Sequence, residues 1–340
     1  MGRFAPPPIW RPAHEGGCVL REWYYENGGP EVFRNEEVDR LACTNDGVLI
    51  RISYISVEGG DLIHREFTPP ASRPHIVGYQ CSGEIVEVGS GVKGFEVGQF
   101  VVAISPSGSH AEYVVAPASQ TWPVPTGLAL EVAAAVPVAF GTAHECLFAF
   151  GQLKAGETVL IHAGAGALGL AGIQLARRAG ATVITTASDD GKLERLRGFG
   201  ADVIINYVKD DFVAAAKAVT DGAGVDLVID SIAGRNLARS ISSLKYRGRA
   251  IIVGVSGRAP ERLDPISLWA NCNSVQGGFF LSSLPHEHER AYAMVAGLLS
   301  DVAEGQLKVV IDRVFPLSEA EAAHRFIAER KAFGRVLLRP

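Results

Sequence analysis

The chain has 340 residues, which is enough for two domains. Its composition, 47% hydrophobic and 20% charged residues, is typical of a folded globular protein. A net charge of −5 gives no reason to expect nucleic acid as the main partner. Five scattered cysteines and a proline-rich N-terminus indicate neither a disulfide framework nor a secretory signal. Because no apolar run approaches the ~20 residues of a membrane span, we predict a soluble, cytoplasmic protein without membrane contact.

Two sequence patterns follow each other along the chain. Residues 18–125 contain short β-branched runs broken by Gly and Pro, such as "GVLIRISYISV" and "SGEIVEVGSGV", which predict an antiparallel, barrel-like domain. Between about residues 130 and 280, strand-like runs alternate with helix-length segments, as in "ETVLIHAG", "LGLAGIQLARRAG" and "ATVITTAS". This alternation predicts βαβ units around a buried parallel sheet, and the closing segments are expected to return to the first domain.

The stretch "HAGAGALG" joins a predicted strand, "TVLIH", to a predicted helix, "LGLAGIQLARRAG". In such a loop one glycine allows the sharp turn, one lets a pyrophosphate approach bare backbone, and one lets helix and strand pack closely. The helix N-terminus adds unpaired amides and a positive dipole end. We therefore predict that this loop binds the pyrophosphate of a dinucleotide. The predicted contact residues are Gly164, Gly166, Ala167, Leu168 and Gly169.

The end of the second strand indicates which dinucleotide binds. NAD sites usually carry an acidic residue there, which accepts hydrogen bonds from the ribose 2′-hydroxyl. Here "VITTAS" ends at Ser188, and Lys192 follows closely. A hydroxyl and an ammonium group leave room and positive charge for a 2′-phosphate, so we predict NADPH in preference to NADH.

Neighbouring residues leave alternatives open. Asp189 or Asp190 supplies the missing acid if the strand ends later, and otherwise both cap the following helix. Tyr207 and Arg330 are further candidates for the phosphate site. Each also fits a plain structural role, as the edge of an amphipathic core or as a surface charge.

These motifs, taken in order, resemble the medium-chain dehydrogenase/reductase superfamily, and within it the zinc-free quinone oxidoreductase (zeta-crystallin-like) branch. Matching segments cover nearly the whole chain and include "SGEIVEVGSGVKGFEVGQFV", "AAAVPVAFGTAHECL", "LKAGETVLIHAGAGALGLAGIQLARRAGATVITTAS" and "GVDLVIDSIAG". The resemblance implies an α/β fold, in which a Rossmann doubly wound parallel sheet is inserted in a GroES-like, mainly antiparallel β domain. It implies a GroES-like substrate domain at 1–130 and 285–340, and a Rossmann dinucleotide-binding domain at 131–284.

The resemblance also allows the superfamily's metal positions to be checked. Where zinc alcohol dehydrogenases carry a first Cys ligand, this chain has Glu58, and their Gly-His-Glu segment corresponds to Gly78-Tyr79-Gln80. Their late Cys ligand falls near Val138. This set lacks the thiolates and imidazole that a catalytic zinc prefers, so no metal is expected. A regrouping of Cys81, His64, His75 and His110 is the remaining route to a metal site.

Without a Lewis acid, reduction of a conjugated acceptor is the chemistry least affected, because the charge it generates is delocalised and hydrogen-bond donors can stabilise it. Tyr79 is the candidate donor, or alternatively an aromatic filling a cleft wall. The family's Asn is replaced by Glu58, which is expected either to relay a proton or to pair with a nearby Arg. Asp61 is expected to cap a short helix, "LIHRE".

The resemblance places further residues beside the cofactor and at a subunit contact. Thr142 matches a residue near the nicotinamide, and Ser231, Gly254 and Val255 match segments that line the cofactor. Relatives commonly form dimers or tetramers through the edge strand of the Rossmann domain, here 274–280.

Three functions are therefore weighed. The first is NADPH-dependent, metal-independent hydride transfer to a quinone or an α,β-unsaturated carbonyl. The second is a metal-free ketone or alcohol oxidoreductase of the same architecture, in which Tyr79 or Glu58 supplies the proton. The third is a nucleotide-binding protein with little catalysis.

Overall fold

A computed structural model describes residues 18–39, 41–70, 72, 75–258 and 263–340. The chain divides into two compact units, one comprising residues up to Pro137 together with Ile311–Pro340, and the other Val138–Val310. Within the described ranges, no helix combines the length and apolarity needed to cross a bilayer.

The first unit is mainly β. Among its described residues, a seven-stranded sheet runs in the order β15-β16-β3-β5-β6-β8, with β7 also paired to β3, and a small sheet runs β2-β1-β4. The strands are β1 Cys18–Tyr24, β2 Arg34–Asp39, β3 Gly47–Ser56, β4 His75–Ile76, β5 Gln80–Val88, β6 Phe100–Ile104, β7 Tyr113–Pro117, β8 Thr121–Pro123, β15 Ile311–Pro316 and β16 Arg335–Arg339. The helices are α1 Gly59–Phe67, α2 Leu130–Ala133 and α11 Ala320–Ala328, with 3₁₀ turns at Pro30–Val32, Ala118–Gln120 and Leu317–Glu319.

Strand β3 is central to this unit because it pairs with β5, β7 and β16, all antiparallel to it. Most of its side chains are also buried, and Val48, Leu49 and Ile50 are fully so. This explains why its sequence is a nearly continuous apolar run and does not alternate with polar residues. The apolar core continues through Ile85 and Val101 on the neighbouring strands.

The second unit contains one parallel sheet. In its described part the strand order is β11-β10-β9-β12-β13-β14, which in chain order is 3-2-1-4-5-6, the doubly wound Rossmann arrangement. The strands are β9 Thr158–Ile161, β10 Thr182–Ala187, β11 Val203–Asn206, β12 Val225–Asp230, β13 Leu244–Ile252 and β14 Ser274–Gly277. The helices are α3 Pro137–His144 with a π-helical segment Glu145–Phe150, α4 Ala167–Arg178, α5 Asp190–Arg197, α6 Phe212–Val219, α7 Arg235–Ser242, α8 Ile266–Trp269, α9 Phe280–His286 and α10 His288–Ala303.

The predicted fold class is confirmed: a Rossmann sheet is inserted in a mainly antiparallel β unit. The C-terminal return begins later than the sequence analysis places it, at Ile311 and not at residue 285. Helix α10 belongs to the second unit, where Arg178 on α4 donates to Asp301 at 2.6 Å. An amphipathic helix shows that it has a buried face, but its pattern does not tell which domain covers that face.

Candidate cofactor and substrate sites

The glycine loop lies between β9 and α4, as predicted, and two of its glycines are required by packing. A Cβ atom on Gly164 would lie 2.1 Å from the Oγ1 atom of Thr185 on the next strand. A Cβ on Gly169 would lie 2.5 Å from the carbonyl oxygen of Ala163. Neither distance is compatible with a side chain, so these two glycines let the loop pack against β10 and the helix against the loop.

Gly166 is different, because nothing in the protein requires it. It is exposed at the N-cap of α4, and its backbone angles, φ −80° and ψ 166°, suit any residue. A Cβ there would approach only the Ala163 carbonyl oxygen, at 3.4 Å. Ala167 and Leu168 then open the twelve-residue helix. Bare backbone at a helix N-terminus fits an anion, so the absent side chain leaves room for a ligand such as a pyrophosphate.

A buried hydrogen-bond network lies directly beneath this loop and ties three adjacent strand ends together. His162, after β9, contacts Thr186 Oγ1 through Nδ1 at 3.0 Å and Ser240 Oγ through Nε2 at 3.1 Å. Ser240 in turn donates to Asp230 Oδ2 at 2.8 Å. Since that hydroxyl proton goes to Asp230, His162 carries its proton on Nε2 and accepts from Thr186 through Nδ1.

Burial lowers the pKa of His162 to about 4, against the opposing effect of the Asp230 carboxylate, so the imidazole is neutral at pH 7. Asp230 also accepts from the backbone amides of Ile232 and Ala233, at 2.8 and 2.9 Å, and so holds the loop that follows β12. The sequence interpretation assigned neither residue a role. The available signal was a set of polar residues, His162, Thr186 and Asp230, at or near the ends of three mainly apolar strands.

The two aspartates after β10 both bind protein groups. Asp189 caps α5, since its Oδ1 accepts from the Lys192 amide at 2.8 Å, as the capping interpretation expects. Asp190 does not cap the helix. Its Oδ1 accepts from Asn206 at 2.6 Å and its Oδ2 from Lys209 at 2.5 Å. These hydrogen bonds, that of Lys209 first, lower the pKa of Asp190.

The predicted phosphate-site residues Ser188, Lys192 and Tyr207 lie at adjacent strand ends. Ser188 is exposed directly after β10, and Lys192 lies in the first turn of α5. Tyr207 follows β11, donates its backbone amide to the Ala187 carbonyl at 3.2 Å, and has 38% of its surface exposed. Arg330 lies in the first unit, in the turn after α11, with φ +58°.

The residues expected along the cofactor occupy strand ends and one helix. Ser231 follows β12, and Gly254 and Val255 follow β13. The two loops are joined by Ser256, whose Oγ donates to the Ser231 carbonyl at 2.8 Å. Thr142 is half-buried on α3. The carboxyl ends of parallel strands are the edge at which open α/β sheets bind ligands.

In the first unit, Glu58 is 4% exposed and fully engaged. Its Oε1 accepts from Ser56 at 2.8 Å and from Gln80 at 3.2 Å, and its Oε2 accepts from Arg335 at 2.6 Å. The side chains of this ion pair are 5% and 7% exposed. Of the two roles weighed for Glu58, the structure shows the pairing with an arginine.

Asp61 and Tyr79 complete this cluster. Asp61 is the third residue of α1, because the helix begins at Gly59 and its N-cap residue is Glu58, earlier than predicted. Asp61 accepts from the Glu58 backbone amide at 2.8 Å and so contributes to the cap from inside the helix, while burial raises its pKa well above the usual value. Tyr79 is 8% exposed, and burial, reinforced by the Glu58 and Asp61 charges, raises its pKa well above 10. A Cβ on Gly60 would lie 2.5 Å from the phenol oxygen, so this glycine makes room for the hydroxyl.

The histidines considered for a metal site have other partners. Nε2 of His110 lies 3.0 Å from Nε2 of His324, and His75 packs edge-on against Tyr24. In the part of the chain that the structure describes, no three His, Cys, Asp or Glu side chains are grouped so as to hold a metal ion.

Comparison with known families matches both units. The model of the alcohol dehydrogenase GroES-like domain matches residues 44–126, and that of the zinc-binding dehydrogenase matches residues 167–297. A 2-haloacrylate reductase from Burkholderia sp. is 33% identical over 95% of this chain and 99% of its own length. A quinone oxidoreductase from Rattus norvegicus is 31% identical, covering 92% of this chain and 95% of its own.

Solved structures of similar proteins indicate the same family. Escherichia coli quinone oxidoreductase, complexed with NADPH, has a TM-score of 0.90 and 28% identity, covering 94% of this chain and 100% of its own. A mycobacterial protein complexed with NADPH has a TM-score of 0.88 and 31% identity, covering 95% and 100%. The chain therefore belongs to the medium-chain dehydrogenase/reductase superfamily and is an oxidoreductase of the quinone oxidoreductase type.

Proposed function

We propose that this protein is an NADPH-dependent reductase of quinones or α,β-unsaturated carbonyls that works without a metal ion. The observation that carries the proposal is the cluster around Glu58 and Tyr79, at the positions where zinc-dependent members of the superfamily carry metal ligands. Glu58 is neutralised by Arg335 at 2.6 Å, and Tyr79 offers a phenol. A carboxylate already paired with a guanidinium, beside an amide and a phenol, is a poor donor set for zinc.

The cofactor loop supports the dinucleotide part of the proposal. Gly166 leaves bare backbone at the start of α4, where a pyrophosphate would be held, and the His162 network beneath keeps that backbone in place. The solved relatives from Escherichia coli and from a mycobacterium were complexed with NADPH. When bound, the reduced nicotinamide supplies a hydride. Ser188, Lys192 and Tyr207 are proposed to hold the 2′-phosphate.

Tyr79 is proposed as the hydrogen-bond donor to the substrate. Because its pKa is raised well above 10, the hydroxyl keeps its proton throughout the neutral range. Such a donor stabilises the negative charge that develops on the carbonyl oxygen of a conjugated acceptor. Glu58 is proposed to position β3 and α1 beside Tyr79, since its oxygens accept hydrogen bonds from Ser56 on β3 and from Arg335.

The relatives favour a conjugated acceptor over a simple ketone. One is named for reducing a 2-haloacrylate, which is an α,β-unsaturated acid, and others are named for quinones. We propose that Thr142, Ser231, Gly254 and Val255 lie along the nicotinamide half of the cofactor.

The test is an assay of NADPH and NADH oxidation with a panel of quinones, enones and simple ketones, together with metal analysis of the purified protein. We expect turnover of conjugated acceptors with NADPH and no stoichiometric zinc. Turnover of simple ketones alone would support the metal-free ketone reductase instead. Binding of the dinucleotide with no turnover of any acceptor would support a nucleotide-binding role.

We also propose a homodimer or homotetramer formed through the edge of the Rossmann sheet. Strand β14 pairs with β13 on one side and with no second strand among the described residues. Tyr246, Ile266 and Trp269, from the segments next to this edge, are 65%, 72% and 81% exposed. Large exposed apolar side chains beside an unpaired edge favour association. Sedimentation should show that Trp269→Glu dissociates the oligomer, whereas Val97→Glu, at an exposed site in the other unit, leaves it intact.

The proposed location is the cytoplasm. The cysteines that the structure describes with their side chains are free thiols, as in a reducing compartment. Cell fractionation with an antibody would test this, and recovery in a secreted fraction would contradict it. The thiols are Cys43, Cys81, Cys146 and Cys272.

A further inference from the structure

The turn after β11 brings two polar side chains onto Asp190. Asn206 ends β11, opposite Ala187 in the parallel register, so that its side chain reaches the start of α5. Its carbonyl oxygens shape the turn: the side-chain oxygen accepts from the Val208 amide at 3.1 Å, and the backbone oxygen accepts from the Lys209 amide at 3.0 Å. The turn thereby presents Lys209 to Asp190, at 2.5 Å.

We infer that Asn206 and Lys209 form a clamp on Asp190 and that this clamp lets the protein accept a 2′-phosphorylated dinucleotide. Lys209 is thus a specificity-determining residue that acts through Asp190. The inference rests on the proposed NADPH dependence and names the residues responsible for it.

Electrostatics supply the reason. A free carboxylate at this end of the second strand accepts hydrogen bonds from a ribose 2′-hydroxyl, which is how NAD sites select their ligand. The same carboxylate repels a 2′-phosphate, which carries a charge of about −1.5 to −2. Here one oxygen of Asp190 is occupied by Asn206 and the other by Lys209, whose charge balances its own. One oxygen of Asp189 is occupied as well, because its Oδ1 accepts from the Lys192 amide and caps α5.

The pKa shifts of Asp190 and Lys209 agree with this pairing of charges. The hydrogen bond from Lys209 is the largest cause of the lowered pKa of Asp190, and the same bond raises the pKa of Lys209. Both side chains are mostly exposed, 60% and 63%, so the pair contributes little to stability. Removing it should therefore change ligand choice and leave folding intact.

The test uses two ligands that differ only in the 2′-phosphate, 2′,5′-ADP and 5′-AMP, titrated calorimetrically into the full-length protein. Lys209→Met frees Asp190 and should weaken binding of 2′,5′-ADP about three- to tenfold at low salt, as expected for a unit charge ~7 Å from a phosphate in water. Binding of 5′-AMP should change less than about twofold, and the loss should shrink in ~0.5 M salt because screening removes it.

The double variant Asp190→Asn/Lys209→Met should recover wild-type affinity for 2′,5′-ADP, because the uncompensated carboxylate is gone. The matched control, Arg197→Met, removes an equal charge from the far end of α5, about 10 Å along the helix, and should change neither affinity.

Three results would overturn the clamp. The first is that Lys209→Met binds 2′,5′-ADP as tightly as the wild type. Another is a double variant as weak as the single one, which would mean that Lys209 contacts the phosphate itself. The third is an equal loss in Arg197→Met. A wild-type protein that binds both nucleotides equally would instead refute the proposed NADPH preference, and the clamp with it.

Discussion

Alanine substitutions at the three glycines of the cofactor loop should separate what the fold requires from what the ligand requires. Gly166→Ala adds a methyl group at an exposed position with permissive backbone angles, and its nearest neighbour is 3.4 Å away. Replacing glycine at a compatible site stabilises by about 0.4–1 kcal/mol through the unfolded state. Loss of a favourable N-cap residue costs a similar amount. The two effects offset each other, so the free energy of unfolding should change by less than about 0.5 kcal/mol.

Cofactor binding should respond quite differently. The new methyl group occupies the place where a phosphate oxygen would reach the backbone amides, and a hydrogen bond to a charged group is worth about 1.5–3 kcal/mol. The dissociation constant for NADPH should therefore rise about 10- to 100-fold. Gly169→Ala is the matched comparison, because its Cβ would lie 2.5 Å from a carbonyl oxygen and 2.6 Å from the Gly164 Cα, backbone atoms that cannot move cheaply. It should lose about 1–3 kcal/mol of stability by overpacking.

Calorimetric melting and fluorescence titration with NADPH measure both quantities on the same samples. We expect Gly166→Ala to bind NADPH more weakly with an unchanged melting temperature, and Gly169→Ala to melt at a lower temperature than the wild type. If Gly166→Ala melted as early as Gly169→Ala, the open geometry at Gly166 would be wrong. If it bound NADPH like the wild type, the loop would not hold the pyrophosphate as proposed.

Three further outcomes follow from the buried polar groups. Arg335→Met leaves Glu58 buried without its counter-charge and should lower the free energy of unfolding, measured by chemical denaturation, by about 3–5 kcal/mol. The double variant Glu58→Gln/Arg335→Met should recover most of that loss. If the effects of the two substitutions simply added, the ion pair would be contradicted. Glu145 accepts from both terminal nitrogens of Arg290 at 2.6 Å. Burial by itself raises the pKa of Glu145, but the hydrogen bonds, those of Arg290 foremost, outweigh burial and lower that pKa from 4.5 to about 2. Its stabilising contribution is therefore complete above pH 4.5 and is lost as the pH falls towards 2. In Arg290→Met, burial raises the pKa of Glu145 instead. The difference in melting temperature between this variant and the wild type should therefore be larger at pH 7 than at pH 4. An equal difference at the two pH values would refute this. Tyr79→Phe should leave NADPH affinity unchanged and lower kcat about 100-fold with an enone, and unchanged kcat would remove Tyr79 as the donor.

Much of the second unit was predictable because its signals are local. Gly164, Gly166 and Gly169 stand at fixed spacing between a β-branched run and an amphipathic helix, and strand, turn and helix each depend on residues only a few positions apart. The sequence could not distinguish the roles of the three glycines. That distinction depends on Thr185 and Ala163, whose distances from the loop are set by the packing of β10 and of the helix start.

The substrate-side cluster was predictable only in part. Glu58 and Tyr79 were located by their place in the family pattern, but two opposite roles remained open for Glu58. Its partner, Arg335, is 277 positions away, and the segment "GRVLLRP" does not indicate with which carboxylate Arg335 will pair. The pairing arises because β16 adds to the sheet beside β3, a contact between the two ends of the unit.

By itself, the sequence predicted the fold class and the glycine-rich turn between β9 and α4, because periodicity, glycine spacing and capping residues act over short stretches of chain. The family followed from the resemblance of its segments to known sequences. The tertiary structure decided how charges are matched. It showed which acid after β10 is clamped, which arginine neutralises Glu58, and that Tyr79 keeps its proton. Electrostatic partners depend on distances through space and on burial, and neither is set by the position of a residue along the chain.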